Sequence, residues 1–241
     1  MVMNYLVTAG GTEERIDGVR SITNFATGRL GALIADRLAR HHLTGTVFYV
    51  HGKHAALPSQ PFNGDDGDFI QYSEVEGVSG LEAAVRRIFA EHEIDAIVHS
   101  MAVSDYAVER VLDGEGREIT NRDKISSSER ELRLVLKPTP KIIGLFHDLS
   151  PASTLVGFKL LNHVSEAVLT DAAFALLEKN HCACVLANDL AGITARKHTA
   201  FLIDRWKNIT RFETKEAIAD GICDFLHGYW RNRNRDSAGG V

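Results

Sequence analysis

Glycines that follow a predicted strand could let an anionic group approach the backbone closely. Residues 4–9 have the β-branched and apolar character of a buried parallel strand, and Gly10 and Gly11 follow it directly. Ligands of open α/β folds bind beyond the carboxyl ends of such strands, where glycine leaves room for a phosphate. A tight turn that needs glycine only for its backbone geometry is the alternative, because a glycine pair alone is a weak signal.

The next predicted element is an amphipathic helix whose amino terminus could also hold a phosphate. Asn24 or Thr27 could cap this helix, and Gly28 and Gly31 keep its first turn thin. Free N–H groups at a helix start attract anions. The predicted core stripe of the helix comprises Leu30, Leu33, Ile34 and Leu38.

Two charged residues further along the chain could also bind a nucleotide. Asp105 follows a predicted strand at residues 95–100, so it would lie at the carboxyl edge of the sheet, where a carboxylate could bind ribose, orient a lysine or hold a metal. An Asx-turn or a helix cap is the alternative for an isolated Asp. Lys124 is followed by several hydroxyl side chains, a composition that suits a triphosphate but also occurs in ordinary surface loops.

The overall composition excludes some classes of function. The chain has 241 residues and a formal net charge of -5, so it offers no domain-wide basic surface for nucleic acid. No apolar run reaches the length of a membrane span, and the amino terminus lacks a signal-peptide core, so we expect a cytoplasmic protein without membrane contact. The 3 cysteines, an odd number without zinc-ligand spacing, are expected to be reduced thiols.

Strands and helices alternate along the chain, which predicts an α/β fold. We expect a three-layer, Rossmann-like domain with a mainly parallel sheet and helices on both faces. A single nucleotide-binding domain over residues 1–230 accounts for the pattern, with a flap or arm inserted at residues 107–130, because this excursion is longer than an ordinary connection. Residues 231–241 are expected to form a disordered tail.

Several individual elements can be predicted from their apolar residues. Residues 132–136 are predicted to form a strand, and residues 199–204 and 207–212 a β pair. A polar loop with Pro and Gly is predicted up to Asp68. A later helix would turn one apolar stripe towards the core, comprising Val164, Val168, Ala172 and Leu176.

Missing motifs narrow the nucleotide chemistry. The chain has no G-x-x-x-x-G-K-[ST] loop, which argues against a P-loop enzyme. The first loop is not G-x-G-x-x-G, and the second strand ends in Val50-His51-Gly52 without the acidic residue that would hold the ribose of NAD. Tyr106 is followed four residues later by Arg110, not by the lysine of short-chain dehydrogenases. A plain nicotinamide enzyme is therefore the weaker hypothesis.

Several segments carry a resemblance to one family over nearly the whole chain. They are Thr8-Ala9-Gly10-Gly11-Thr12, residues 19–31, Ala102-Val103-Ser104-Asp105-Tyr106, Asp123-Lys124-Ile125, residues 137–143, Val156-Gly157-Phe158-Lys159 and Ala187-Asn188-Asp189. These segments stand in the order found in phosphopantothenoylcysteine synthetase, also called phosphopantothenate-cysteine ligase. Each segment alone is unspecific, and the combination is highly specific. Because the chain enters its first strand directly, it resembles the stand-alone bacterial form, without a flavin-dependent decarboxylase domain ahead of it.

The resemblance implies a two-step ligation in coenzyme A biosynthesis. The carboxylate of 4'-phosphopantothenate would attack the α-phosphorus of CTP and release pyrophosphate, and the amine of L-cysteine would then displace CMP from the acyl-cytidylate. The product is 4'-phosphopantothenoyl-L-cysteine. Mg²⁺ and fixed donors would stabilise the developing charge. The resemblance also implies a homodimer with shared active sites, and the residues alone leave the choice between CTP and ATP open.

The resemblance also assigns roles by position. Asn24 and Lys124 would be the catalytic residues: the Asn24 amide would donate to the acyl oxygen, and Lys124 would cover the triphosphate from the flap. Thr27 and Gly28 would bind the substrate together with Asn24. The nucleotide-binding residues would be Gly10, Gly11, Met101, Ala102, Asp105, Lys124, Pro140, Lys141, Ile142, Ile143, Phe158 and Lys179.

The chain departs from the family pattern in its lysines. Where many relatives have a lysine-rich run, this chain keeps only Lys124, and Ala175 stands four residues before Lys179 where a second lysine often occurs. Lys159 replaces a small residue and could partly supply the missing charge. Two alternatives to the ligase remain, which are a non-catalytic binding or regulatory homologue of the same fold and an NAD(P)-type oxidoreductase.

Overall fold

The fold is built on one large sheet and two small ones. The structure is a computed structural model that describes residues 2–59, 69–194 and 197–238, with side chains described as far as Trp230. The strands are β1 (Met3–Ala9), β2 (Glu13–Arg15), β3 (Ser21–Thr23), β4 (Thr44–Gly52), β5 (Ile70–Val75), β6 (Ala96–His99), β7 (Tyr106–Leu112), β8 (Arg133–Pro138), β9 (Thr154–Leu161), β10 (Cys184–Asp189), β11 (Ala200–Asp204) and β12 (Ile209–Phe212). The helices are α1 (Arg29–Ala39), α2 (Gly77–Glu91), α3 (Ile142–Leu149), α4 (Glu166–Asn180) and α5 (Lys215–Ala238), with a short 3-10 turn at Leu190–Gly192.

The central sheet has 8 strands in the order β12-β11-β10-β9-β6-β1-β4-β5. Neighbouring strands from β10 to β5 are parallel, whereas β11 and β12 add to one edge in antiparallel fashion. The parallel strands β1, β4 and β10 are almost wholly buried because helices cover both faces of the sheet. The mainly parallel sheet and the β pair near the carboxyl terminus are therefore confirmed.

Helices cover the sheet on both sides and complete the predicted three layers. On one side, α1 and α5 pack over a core in which Ile34 and Leu38 have no exposed surface. On the other side, α2, α3 and α4 pack over a core that includes the fully buried Phe146. Burying one such side chain stabilises the fold by roughly 1.5–3 kcal/mol. The predicted stripe of α1 is confirmed, with Leu30 and Leu33 at its partly buried margin.

Residues 107–112 of the predicted flap belong to an antiparallel ribbon, and residues 113–130 form most of the connection to its second strand. The role of this excursion as a flap or an arm stays a prediction. β7 pairs with β8 outside the central sheet. The strand predicted at residues 132–136 therefore exists, but it lies in this ribbon. Its Leu134 and Leu136 are 37% and 43% exposed. A strand covered on both faces needs apolar residues along most of its length. In β8, charged Arg133 and Lys137 flank a short apolar stretch, and most of the strand is exposed, which does not suit the central sheet.

The core face of α4 differs from the prediction. Its buried positions include Leu169, Ala173 and Leu177, whereas Val168 of the predicted stripe is 52% exposed. Val164, just before the helix, and Leu176 do pack against this core as partly buried side chains, so the predicted stripe overlaps the margin of the buried face. α4 is apolar over most of its circumference, so periodicity alone does not identify the face that meets the sheet.

The last helix extends into the predicted tail. α5 continues to Ala238, so residues 231–238 are helical in place of the predicted disorder. This stretch contains no Pro or Gly, and its arginines favour a helix. Residues 239–241 lie outside the described residues, as do residues 60–68, where the end of the polar loop is predicted. Within the described parts of the chain, no helix is long and apolar enough to cross a membrane.

Candidate active site

The loops that follow β1 and β6 meet at the carboxyl edge of the central sheet. Gly10 O accepts a hydrogen bond from Ala102 N at 2.8 Å, and Ala102 O accepts one from Thr12 N at 3.2 Å. β4 lies on one side of β1 and β6 on the other, so the chain connections diverge at this point. Ligands of open α/β sheets bind at such a point. The structure thus brings the two predicted loops together.

The glycines of these loops allow close packing of the backbone. Gly10 has a φ of +83°, and a Cβ there would lie 2.6 Å from Ala55 Cβ. Gly28 has a φ of +70°, and its Cβ would lie 2.9 Å from the same atom. A Cβ on Gly11 would lie 2.8 Å from Asn24 O. Gly10 and Gly28 are therefore needed for their backbone geometry, as the alternative interpretation of the glycines states. Gly11 allows Asn24 to lie against the first loop.

A methyl group at Gly52 is expected to disturb this packing. Its Cβ would lie 2.2 Å from Gly11 O, a backbone atom that cannot move without the loop. We expect Gly52→Ala to destabilise the protein by about 1–3 kcal/mol, as overpacking does. Thermal unfolding measures this loss. Gly80→Ala is the control, since outside its own helix backbone the nearest described atom to its Cβ would be Val75 Cβ, at 3.9 Å. A melting temperature of Gly52→Ala equal to that of the wild type would contradict the packing argument.

Asn24 does not cap α1. The helix begins directly after Gly28, and no side chain of the described residues caps its first turn. The Asn24 amide instead donates through Nδ2 to Ala102 O at 3.3 Å. The Thr27 carbonyl accepts from Ala56 N at 2.9 Å, which holds it beside the loop after β4. The prediction that Asn24 or Thr27 caps the helix is therefore wrong, because the left-handed Gly28 occupies the capping position.

A cavity of about 520 Å³ lies beside Asn24. Pockets for small molecules typically measure roughly 300–1,000 Å³, so this volume suits a metabolite. The lining includes Asn24, Thr27 and Phe25, whose ring is fully exposed. It also includes His54 and Glu13, whose Nε2 and Oε1 atoms lie 3.5 Å apart. The exposed amide of Asn24 therefore forms part of the wall of a cavity at the carboxyl edge.

A larger cavity, of about 810 Å³, opens at the opposite edge of the sheet. Its lining includes Thr154 at the start of β9, Trp206 between β11 and β12, and Tyr229 in α5. None of its described lining residues belongs to the predicted site. We place the candidate site at the smaller cavity, because ligands of open α/β sheets bind beyond the carboxyl ends of the strands.

Asp105 and Lys141 connect the loop after β6 to the start of α3. Their side chains form an ion pair, and both are 68% exposed. Asp105 O also accepts from Thr139 N at 3.0 Å, and exposed Pro140 follows before the helix. Of the roles open to Asp105, pairing with a lysine is the one that the structure shows. Both charged groups remain accessible to a ligand from solvent.

Three other predicted nucleotide-binding residues are partly or wholly buried. Met101 is 6% exposed and Ile142 is 2% exposed, so their side chains offer little surface to a ligand. The Phe158 side chain packs with the core under α1 and α5, whereas Ile142 packs on the other face of the sheet. The structure therefore does not bring the Phe158 side chain together with α3, because alternate residues of a strand face opposite ways.

β9 and α4 bring two lysines towards α3. A Cβ on Gly157 would lie 3.4 Å from Ile143 Cδ1, so Gly157 faces α3. Half-buried Lys159 stands two residues later and faces the same way. At the end of α4, Asn180 Oδ1 lies 3.9 Å from the position that a Cβ on Gly144, in the first turn of α3, would take. Exposed Lys179 precedes Asn180, so both lysines lie on the face that carries α3.

Lys124 lies in a segment that docks against the β2–β3 hairpin. Its side chain is exposed, and no hydrogen bond or ion pair joins it to another of the described residues. The next residue, Ile125, is 4% exposed, and its N–H donates to Asp17 Oδ2 at 3.1 Å. Sequence reasoning misses Asp17, since the Asp-Gly pair at residues 17–18 indicates only a local turn.

The buried side chains of Thr8 and His99 are in contact near the carboxyl ends of β1 and β6. Thr8 Oγ1 lies 2.8 Å from His99 Nδ1. Burial lowers the pKa of His99 to about 4, so the ring is neutral at pH 7 and needs no counter-ion. In the described parts of the chain, no group of three or more His, Cys, Asp or Glu side chains is arranged to hold a metal ion.

The cysteines lie away from this edge as buried free thiols, in line with the sequence-based expectation. Burial raises the pKa of Cys182 and Cys223 to about 12, and that of Cys184 well above its usual value. The thiolate is the reactive form of cysteine. These thiols are therefore structural.

Comparisons with known proteins connect these features to one family. A family model described as the DNA/pantothenate metabolism flavoprotein C-terminal domain matches residues 2–229. The coenzyme A biosynthesis bifunctional protein CoaBC of Thermococcus kodakarensis is 32% identical over 222 residues, which cover 91% of this chain and 49% of the relative. The protein of the same name from Methanocaldococcus jannaschii is 30% identical over 186 residues, which cover 77% of this chain and 40% of the relative.

A solved structure shows the same likeness in three dimensions. The DNA/pantothenate metabolism flavoprotein from Streptococcus pneumoniae is 34% identical and superposes with a TM-score of 0.82, covering 95% of this chain and 100% of that one. The chain spans about half the length of the two archaeal relatives or less, at 49% and 40%. The match over residues 2–229 confirms the resemblance inferred from the motifs. The chain belongs to the family of DNA/pantothenate metabolism flavoprotein C-terminal domains.

Proposed function

We propose that the protein is a phosphopantothenate-cysteine ligase of coenzyme A biosynthesis that activates its substrate with CTP. The observation that carries the proposal is the exposed amide of Asn24, held against Ala102 in the wall of the cavity at the carboxyl edge. The names of the two archaeal relatives support the pathway. The proposed substrates are 4'-phosphopantothenate, L-cysteine and CTP.

In the first step, a carboxylate oxygen of 4'-phosphopantothenate forms a bond to the α-phosphorus of CTP. The bond from that phosphorus to the β-phosphate oxygen breaks, and pyrophosphate leaves with the electron pair. The product is a mixed anhydride, which is a far better electrophile than a carboxylate. Exposed Lys124 and Lys141 are the cations that would offset the charge of the triphosphate. The contribution of the protein is mainly positioning and charge stabilisation.

In the second step, the amine of cysteine attacks the acyl carbon and CMP leaves. Negative charge develops on the acyl oxygen during this attack, and a fixed donor aimed at that oxygen lowers the barrier. Asn24 Nδ2 is such a donor. Its bond to Ala102 O is 3.3 Å long, which is longer than a typical N–H···O bond, so a substrate oxygen can compete for the amide.

Mg²⁺ fits this set of residues as an ion bound mainly by the substrate. Mg²⁺ is usually held by one or two carboxylates together with phosphate oxygens and waters. Asp105 supplies one exposed carboxylate next to Lys141, at the proposed position of the triphosphate. When bound, the ion would neutralise phosphate charge. Asp105 would then hold the ion, while Lys141 remains free to contact phosphate.

Pyrophosphate release tests the proposed function. The protein is mixed with 4'-phosphopantothenate, cysteine and Mg²⁺, and with either CTP or ATP. We expect CTP to exceed ATP in kcat/KM by more than about tenfold, which is a gap of about 1.4 kcal/mol. A non-catalytic homologue or an NAD(P)-dependent oxidoreductase would release no pyrophosphate with either nucleotide. Equal turnover with both nucleotides would contradict the specificity for CTP.

The two small sheets carry a candidate interface for the proposed homodimer. On the β7–β8 ribbon, Tyr106, Leu134 and Leu136 are 55%, 37% and 43% exposed. On the β2–β3 hairpin, Val19 and Ile22 are 65% and 36% exposed. β2 and β7 are in contact, so the ribbon and the hairpin are neighbours. Several exposed apolar side chains on neighbouring elements are typical of protein interfaces.

Leu136→Asp is expected to convert the dimer into a monomer and to lower activity at micromolar protein concentration. A charge placed in an apolar interface loses its hydration without gaining a partner. Sedimentation velocity measures the change in mass. Val168→Asp is the control, because Val168 is 52% exposed on α4, away from the ribbon. A wild-type protein that is a fully active monomer would contradict the shared site.

A further inference from the structure

The tip of the β2–β3 hairpin packs against the segment that carries Lys124. Gly18 N donates to Arg122 O at 2.7 Å. The contact leaves no room for a side chain, because a Cβ on Gly18 would lie 2.3 Å from Asp123 O. The hairpin and this segment are far apart in the sequence, so the contact is a tertiary one.

Asp17 lies at the centre of this contact, and its side chain has no exposed surface. Its Oδ1 accepts from Val19 N at 2.9 Å and from Arg20 N at 2.8 Å, which closes the hairpin turn. Its Oδ2 accepts from Ile125 N at 3.1 Å. The Arg20 guanidinium pairs with the same carboxylate and also donates to Ile125 O at 2.8 Å. Both backbone polar groups of Ile125 are therefore held by the hairpin.

The charge of Asp17 strengthens these bonds. The Arg20 guanidinium, with the N–H groups of Val19 and Ile125, holds the pKa of Asp17 well below its usual range. The carboxylate is therefore ionised at neutral pH, and hydrogen bonds to an ionised group are roughly twice as strong as neutral ones. Ile125 is also 4% exposed, so packing anchors the segment as well.

We infer that Asp17 positions Lys124 over the nucleotide, an inference that rests on the proposed function. The backbone is held on both sides of Lys124, at Arg122 and at Ile125, while the lysine side chain stays exposed. The same hairpin continues through β3 into Asn24. One structural unit therefore sets the positions of both proposed catalytic side chains. Asp17 is a positioning residue, because it acts on Lys124 through the backbone and touches no substrate.

Asp113 offers a matched control for Asp17. It is 8% exposed and closes a turn in the same way, accepting from Glu115 N at 3.0 Å and from Arg117 N at 2.9 Å. Its carboxylate also pairs with the Arg117 guanidinium at 2.8 Å. Among the described residues, these bonds stay within the turn and do not reach Lys124. Asp17→Asn and Asp113→Asn thus remove the same charge from two similar turns, only one of which holds the segment.

Limited digestion with trypsin tests the positioning without any substrate. Asp17→Asn keeps the shape of the side chain and removes its charge. We expect cleavage after Arg122 and Lys124 to become faster by roughly ten- to hundredfold, because charge-assisted hydrogen bonds no longer hold the segment closed. Asp113→Asn should cleave at these two bonds at the wild-type rate. Equal cleavage of Asp17→Asn and wild type would overturn the inference.

A double-mutant cycle tests whether the effect reaches catalysis through Lys124. In the wild-type background, Asp17→Asn should raise the KM for CTP and slow pyrophosphate release by about tenfold. In the Lys124→Ala background, the same substitution should change the KM and the release rate by less than about twofold each. Effects that multiply in the double variant would overturn the positioning role. Asp113→Asn should keep wild-type kinetics. A wild type that releases no pyrophosphate would refute the proposed function, and the digestion result would still decide whether Asp17 holds the segment.

Gly18→Ala provides a second route in case Asp17→Asn does not fold. The added methyl group would lie 2.3 Å from Asp123 O, so it pushes the segment away while the Asp17 charge remains. We expect faster cleavage at the same two bonds. Gly192→Ala is the control, since no atom of the described residues, apart from its chain neighbours, lies within 4 Å of its Cβ. Unchanged cleavage in a folded Gly18→Ala variant would overturn the inference.

Discussion

Lys124→Ala is expected to slow CTP-dependent pyrophosphate release by on the order of 10- to 100-fold. The Lys124 side chain is exposed and unpaired among the described residues, while its backbone neighbours are anchored to the hairpin. A cation held in this way meets the triphosphate without first breaking an internal ion pair. Its charge stabilises the leaving pyrophosphate more than it stabilises bound CTP, so the loss should appear in kcat as well as in KM.

Single-turnover measurement of pyrophosphate release checks this expectation. Lys124→Arg should restore part of the rate, because it keeps the charge but changes the donor geometry. Arg87→Ala is the control for the loss of one exposed cation, since Arg87 lies on the solvent side of α2. A Lys124→Ala variant that releases pyrophosphate at the wild-type rate would remove this residue from the first step.

The central layers can be predicted from the sequence because most of the parallel strands contain an uninterrupted apolar run, the edge strand β5 being the exception. Residues 4–9 and 95–100 correspond to β1 and β6, which lie side by side in the sheet. Helices between such strands allow only a few arrangements, and all of them bring the loops after the strands to one edge. The meeting of Gly10 and Ala102 at that edge follows from this rule.

Local patterns do not determine which partner an element takes. β8 has the composition of a strand, but only the three-dimensional arrangement pairs it with β7 in the ribbon. In α4, apolar residues lie on most sides, so the choice of Leu169 over Val168 for the core depends on how the helix meets the sheet. The strand at residues 132–136 is present but its partner is not predictable from its sequence, and the core face of α4 is predicted only in part, since propensity is local and packing is not.

The contacts that shape the candidate site join residues far apart in the sequence. Asn24 reaches Ala102 across 78 positions, and Ile125 reaches Asp17 across 108 positions. From the sequence alone, Asn24 is as well suited to cap a helix as to donate to a substrate. The left-handed Gly28 excludes the cap in the structure, and this leaves the amide available for chemistry.

Asn24→Ala is expected to slow amide formation by on the order of 100-fold or more, as the loss of an oxyanion donor typically does. The side chain is exposed, and its described contact is one long bond to Ala102 O. Removing that bond should cost the fold little, and CTP should still bind. The acyl-cytidylate should therefore accumulate if the first step remains intact, because its attack by cysteine is the step that needs the donor.

The Asn24 prediction separates a chemical role from a structural one. Asn24→Asp has nearly the same shape but places a carboxylate against the oxygen that gains charge, so it should be at least as slow as Asn24→Ala. Asn208→Ala is the control for the loss of an amide donor, since its Nδ2 bonds Asp204 Oδ2 at 2.8 Å in the turn between β11 and β12. Rapid-quench assays follow both half-reactions, and melting curves follow stability. Near-normal amide formation in a folded Asn24→Ala variant would contradict the donor role and leave Asn24 as a contact between two loops.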